Sequence, residues 1–284
     1  MSGFDAVLQV WAFAVALCVG SFLNVCIARM PEDRSVVSPG SHCPSCGYVL
    51  RWYDNIPLLS WAMLKAKCRN CGLPISPLYP SIELLTGVLG LLLWRELVPP
   101  ITGPVFPWAD AAAWVVYLAF ISMLVASTFI DLRHYIIPDE FSIYAAPVGI
   151  AAVAGLSLLG FDGVGNTAHL ALNWQQSVVG ALVGGGSLLA VWAAWKLLRG
   201  IDAMGFGDIK LMAMMGAFLG ALPAMLFVVL FACLAGTAIG IPLMIKQGRG
   251  LRLMLPFGPF LALGGLLYVY FGDVLVRTFL LGWA

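Results

Sequence analysis

Residues 111–131 read AAAWVVYLAFISMLVASTFID, twenty positions without a charge and then a single carboxylate, Asp131. A helix rises about 1.5 Å per residue, so about 20 such residues cross the roughly 30 Å hydrocarbon layer of a membrane. The run is far too long and too continuous for a strand. Composition says the same for the whole chain. Of its 284 residues 61% are hydrophobic and 10% charged, against roughly 45–50% and 25% in soluble domains. No soluble core hides that much apolar surface.

Outward from this run lie seven others, near 4–28, 80–98, 140–160, 175–198, 208–221, 223–245 and 255–282. Only Ala221-Leu222-Pro223 separates the pair 208–221 and 223–245. The first run follows Met-Ser-Gly-Phe-Asp, with no positive segment ahead of it, and stays apolar to Ala28. It therefore reads as a retained span and not as a signal peptide. Alternating the spans gathers thirteen of the fifteen Lys and Arg into 29–79, 131–139, 199–207, 246–254 and their edges, leaving Arg95 and Arg277 opposite. The positive-rich side is predicted to be cytoplasmic. With basic residues spread among short loops, the net charge of +1 says nothing in favour of nucleic acid, and no such partner is expected. The sequence thus predicts an all-α integral membrane protein. It is a polytopic bundle of about eight transmembrane helices with a cytoplasmic zinc-binding loop module. Its parts are a first helix (1–28), the module (29–79) and the remaining bundle (80–284).

The module rests on Cys43-Pro-Ser-Cys46-Gly and Cys68-Arg-Asn-Cys71-Gly, with twenty-one residues between the pairs. Two Cys-x-x-Cys turns can set four thiolates around one tetrahedral zinc, in a coordinatively closed and therefore structural site. Two disulfides are the alternative, disfavoured on a reducing side, and iron or redox-active thiols remain open. Cys18, Cys26 and Cys233 lie in apolar runs and read as packing residues.

Two carboxylates carry the chemistry. Asp208, in Gly205-Phe-Gly207-Asp208, opens an apolar run, where it could simply cap a helix. Asp139 and Glu140 follow Pro138 and have the same explanation. Asp131 does not: it ends a helix, where the dipole disfavours a negative charge. A salt bridge to Arg133 or His134 is one reading. The other brings Asp131 and Asp208 together at one membrane edge. Paired carboxylates share a proton, so that one takes a proton from water while the other protonates a carbonyl. That is the equipment of an aspartic protease. His42, His134 and His169 show no metal-ligand spacing.

The chain resembles the type IV prepilin peptidases, the Gly-x-Gly-Asp membrane aspartic proteases. Agreement runs in order through Gly20-Ser-Phe-Leu-Asn-Val25, Arg29-Met-Pro31, both cysteine pairs and Asn55-Ile-Pro-Leu-Leu-Ser-Trp61. It continues through Tyr79-Pro-Ser-Ile-Glu-Leu-Leu85, Asp131, Ile137-Pro-Asp139, Gly205-Phe-Gly-Asp208-Ile-Lys210 and Pro256-Phe-Gly-Pro-Phe260. The resemblance implies that Asp131 and Asp208 are the catalytic pair, in the bacterial inner membrane. It also implies prepilin or pseudopilin substrates, which lose a short basic leader on the cytoplasmic side. Many members then methylate the new N-terminal amine using S-adenosylmethionine, at a site this sequence does not locate. Gly205 and Gly207 are expected to let an extended substrate backbone approach. Ala66 departs from the family, which usually has Gly at this position, one tied to methyl transfer. A transporter binding cations on the aspartate pair is the rival reading. Asn24 is expected to bond a neighbouring helix, Glu83 to act as a helix-start charge and Lys210 as an interfacial anchor.

Overall fold

A computed structural model describes residues 3–101, 105–161, 163, 169–200, 204–247, 255–276 and 278. Arg249, Arg252, Arg277 and the end of the predicted 255–282 span lie outside the described residues. The chain divides into two compact units, Met1–Pro107 and Trp108–Ala284.

In the first unit, α1 (Gly3–Arg29) and α3 (Leu78–Leu97) pack side by side, with the cysteine segment and a short α2 (Leu59–Met63) between them in sequence. Small residues set their separation. A Cβ on Gly20 would lie 2.8 Å from the Glu83 Cα, and one on Gly87 would lie 2.7 Å from Leu17. Such close approach supplies packing where lipid offers no hydrophobic drive. The Asn24 side chain donates to the Tyr79 carbonyl at 3.1 Å, crossing between the helices as expected. Glu83 departs from expectation. It sits within α3, buried, and its carboxylate accepts the Leu58 amide at 2.8 Å.

The second unit holds α4 (Trp108–His134), α5 (Ala145–Leu158), α6 (Trp174–Arg199), α7 (Phe206–Leu219), α8 (Ala224–Gln247) and α9 (Gly258–Val276). A 3-10 turn, Asp139–Phe141, precedes α5. Helix α4 is the core element, with Trp114, Tyr117, Phe120, Ile121 and Leu124 almost wholly enclosed.

Among the described residues each of the eight predicted runs contains a helix, and six helical segments are long and apolar enough to cross a membrane: 3–32, 108–134, 139–158, 174–199, 224–246 and 258–275. Helix α3 carries Glu83, Arg95 and Glu96. Helix α7 falls short on length. Its 14 residues reach about 21 Å, less than the hydrocarbon thickness. It is instead sunk in protein, and Leu211, Met212, Met214 and Met215 are fully enclosed. Its seam with α6 is bare backbone: a Cβ on Gly180 would collide with the Gly216 carbonyl. Ser177 donates to the Ala217 carbonyl, and Tyr117 donates to the Phe218 carbonyl at 2.9 Å.

Candidate active site and metal centre

Helix α4 ends in a left-handed turn. Tyr135 has a φ of +57°, and its amide donates to the Asp131 carbonyl at 3.0 Å. This reversal is a standard way to satisfy the last carbonyls of a helix, and it carries Ile137 back toward the starts of α7 and α9. A Cβ on Gly207 would stand 3.2 Å from Ile137, and one on Gly258 would stand 3.0 Å from it and 2.6 Å from the Asp131 carboxylate. Three chain segments therefore meet at one point only because two of them present glycine.

Asp131 and Asp208 are both buried, 6% and 8% exposed. They are close enough to act on each other electrostatically. Asp208 lies in the first turn of α7, and the Gly258 amide at the start of α9 donates to Asp131. The end of α4 is a poor place for a negative charge, and the positive end of α9 offsets it. Among the described residues no ion pair joins Asp131 to Arg133 or His134, so the salt-bridge reading fails. Gly205 caps α7 with an ordinary φ of −72°, and a side chain there would meet Asp208 only at 3.8 Å. Gly207 is the glycine that space requires. Phe206, between them, seats against Trp192 with ring centroids 4.7 Å apart. Asp139 caps no helix: it pairs with Lys210 at 2.6 Å, tying the 3-10 turn to α7. Lys210 is thus half of an ion pair, which the sequence reading missed because its partner lies 71 residues away.

The four cysteines of the first unit come together, all Sγ atoms lying within 4.8 Å of one another. Two knuckles repeat at an offset of 25 residues. Cys43 donates its amide to the Tyr48 carbonyl at 2.9 Å and Cys68 to the Leu73 carbonyl at 2.8 Å. Gly47 and Gly72 follow at φ of +70° and +73°, the left-handed positions that favour glycine. The Cys43–Cys71 and Cys46–Cys68 sulfurs are each 3.9 Å apart. A disulfide needs about 2.05 Å, whereas a tetrahedral four-thiolate site with metal–sulfur bonds of about 2.3 Å has edges of about 3.8 Å. The geometry fits a metal ion. Amides are aimed at the sulfurs as well. The Tyr48 amide, then the Asn70 side chain, draw the Cys46 thiol down to about 6. The Cys71 and Asn70 amides lower Cys68. Cys71 receives the Leu73 amide, yet burial and donation to its three neighbours hold it up at about 11.

A second cluster braces the module. Arg69 meets the buried Asp54 carboxylate at 2.6 Å, the Tyr48 hydroxyl donates to the same group at 3.1 Å, and the Arg69 guanidinium lies 5.3 Å from the Tyr53 ring centre. Burial acts to raise Asp54, and these partners more than offset it, so its carboxyl lies below the usual range. No spacing rule points to this cluster in sequence.

Comparison with known proteins matches these two units in turn. Residues 14–97 match the bacterial peptidase A24 N-terminal domain, and residues 118–241 match the type IV leader peptidase family. A protein of Myxococcus xanthus named prepilin leader peptidase/N-methyltransferase is 41% identical over 247 residues, 87% of this chain and 66% of that relative. Proteins of the same name from Aeromonas hydrophila and Xanthomonas campestris are each 35% identical over 294 residues, covering 94% and 95% of this chain and 92% and 93% of theirs. No solved structure matches. Two family models matched in order, with relatives aligned over most of their length, show the family: the chain belongs to the type IV leader peptidase family.

Proposed function

We infer that this multi-pass membrane protein removes the short basic leader of type IV prepilins or pseudopilins and then N-methylates the amine it exposes. The observation that carries the first step is a pair of buried, mutually interacting carboxylates, Asp131 and Asp208, at the converging ends of α4, α7 and α9. The names of the relatives support both activities, and nothing supports the transport alternative. Localisation in the bacterial inner membrane, with the leader cut at the cytoplasmic face, follows the charge asymmetry of the loops.

In this mechanism the pair shares one proton. Asp131, which accepts the Gly258 amide, takes a proton from water as that water attacks the scissile carbonyl carbon. Asp208 gives its proton to the carbonyl oxygen. Collapse of the tetrahedral species breaks the C–N bond, the proton gained by Asp131 passes to the leaving amine, and a hydroxyl proton of the tetrahedral species returns to Asp208 as the new carboxyl group forms. Glycine at 207 and 258 keeps side chains out of the place where these groups converge.

Zinc is the ion that best suits four thiolates in a closed tetrahedron; when bound, it cross-links the two knuckles and takes no part in hydrolysis. The module runs from the end of α1 to the start of α3, with Asp54, Arg69 and Tyr48 bracing it from within. S-adenosylmethionine, when bound, supplies an electrophilic methyl group.

Co-expression with a candidate prepilin, reading leader loss by mass, tests the assignment. Asp131→Asn and Asp208→Asn should each cut cleavage by about 10²–10⁴-fold, the range of general acid–base catalysis. Asp139→Asn loses only a partly exposed ion pair and should cost a few-fold. Substantial cleavage by either catalytic variant would defeat the pair.

A further inference from the structure

The first unit contains a cavity of about 320 Å³ between the last turns of α1 and the segments that follow it. Its helix wall is Cys18, Ser21, Phe22, Val25 and Arg29, which three- and four-residue spacings place on one face of α1. We propose that this cavity binds an anionic diacyl phospholipid, with the phosphate on Arg29 and an acyl chain along the apolar face beneath it.

The headgroup end is built in advance. The Arg29 guanidinium donates to the Ser35, Pro39 and Gly40 carbonyls at 3.0, 2.7 and 3.3 Å. The Ser35 hydroxyl in turn accepts the Val37 and Ser38 amides at 3.2 and 3.3 Å. The loop is thus folded over the helix end before a ligand arrives, and less ordering remains to oppose binding. Three of the five Arg29 N–H groups are engaged in these contacts, which leaves donors for an anion. All three acceptors are neutral carbonyls, so the positive charge itself stays unbalanced. Among the described residues no ion pair includes Arg29, and no acidic side chain lines the cavity. Glu32, in the turn after α1, is taken by Arg34 at 2.8 Å. A guanidinium so placed matches a phosphate, whose oxygens it holds in pairs.

The rest of the lining fits a lipid and not a soluble anion. From Arg29 to Cys18 the face runs eleven residues, about 16 Å, which is about half the hydrocarbon thickness and so one leaflet. Phe22 on this face is 51% exposed and Cys18 is exposed, so a chain can lie there without displacing protein. Gly20, which packs against Glu83 and Thr86 of α3, lies on the opposite side of α1, and no α3 residue lines the cavity. On the loop side Val37 is 85% exposed, an apolar tip that suits a membrane surface. Ser21, Ser41 and Asn55 line the same space and offer hydrogen bonds to ester carbonyls and headgroup hydroxyls. The lack of a carboxylate discriminates between headgroups. An ethanolamine ammonium finds no counter-charge here, whereas glycerol hydroxyls need none, so phosphatidylglycerol is preferred to phosphatidylethanolamine. Depth and side agree, since Arg29 ends α1 on the positive-rich side, which faces an anionic leaflet. The other sizeable cavity, of about 380 Å³, has both Asp5 and Arg95 in its lining, and so no excess of positive charge.

Native mass spectrometry of the full-length protein in detergent, with graded amounts of added lipid, tests the site. The wild type should retain about one phosphatidylglycerol per chain under conditions that strip phosphatidylethanolamine of the same acyl chains. Arg29→Gln should weaken phosphatidylglycerol binding about tenfold, the loss of one charge-assisted contact, and abolish the preference between the two headgroups. Phe22→Ala should weaken both lipids alike and keep the preference, because it meets only the chain. Metal content and helical content report folding. Should Arg29→Gln lose them through its unbraced loop, Ser21→Trp, which fills the cavity with Arg29 in place, should show the loss instead. Leu8→Trp, in the other cavity, should leave retention unchanged, and an equal loss there overturns the site. Equal retention of the two lipids by the wild type overturns it as well, as does undiminished phosphatidylglycerol in the folded cavity variants. Displacement of the lipid by inorganic phosphate or by free glycerophosphoglycerol makes this a site for soluble anions and overturns the lipid.

Discussion

Alanine 66 adopts a φ of +58°, with its amide bonded to the Trp61 carbonyl at 2.9 Å and its carbonyl accepting from Ile75 at 2.7 Å. The backbone is therefore fixed in the left-handed region by its own ladder, a conformation that favours glycine. An L-residue there costs about 1–2 kcal/mol, and glycine recovers part of that after its larger unfolded-state entropy is counted. Ala66→Gly should raise the thermal midpoint of the module and slow loss of metal to a chelator; a lower midpoint would contradict the strain. Gly258 has the opposite requirement. A methyl group there would stand 2.6 Å from the Asp131 carboxylate, so Gly258→Ala should reduce leader cleavage at least tenfold while helical content stays unchanged. Asp131 was legible in the sequence because a carboxylate closing an apolar helix has no cheap local explanation. Gly258 was not, because its role exists only where α4, the Ile137 turn and α9 meet.

At the scale of elements, the cysteine module is held by two separate means, the metal knuckles and the Asp54–Arg69–Tyr48 cluster. Because the folded-state carboxyl of Asp54 lies below its ordinary range, its contribution is present above the unfolded carboxylate value of about 4 and fades as pH falls through the folded one. Asp54→Asn should therefore release metal at a higher pH than the wild type during acid titration, with the two curves converging once the pH has fallen through the folded value of Asp54. Coincident curves throughout would show that the ion pair adds nothing. The paired cysteines were readable from spacing alone. Their bracing residues were not, since Asp54 and Arg69 are fifteen positions apart with no periodic relation. Long apolar runs predicted helices well. Periodicity failed at α7, because an apolar stretch looks the same whether lipid or protein surrounds it.

For the molecule as a whole, the division into Met1–Pro107 and Trp108–Ala284 gives each half its own helices and one set of chemical groups, thiols in the first and aspartates in the second. We expect residues 1–107, expressed alone in membranes, to retain about one metal per chain, because α1, α3 and the knuckles lie within it. A metal-free, protease-sensitive fragment would refute that independence. The enclosed, 14-residue α7 has a bearing on how the protein is made. A segment that cannot span hydrocarbon gives the insertion machinery no stable stopping place of its own. Its backbone seam with α6 and its shell of α4, α5, α8 and α9 must exist before it can settle. The carboxylate at its head is thus seated late in biogenesis, and on the catalytic role proposed for Asp208 a nascent chain would stay silent until its last helices have arrived.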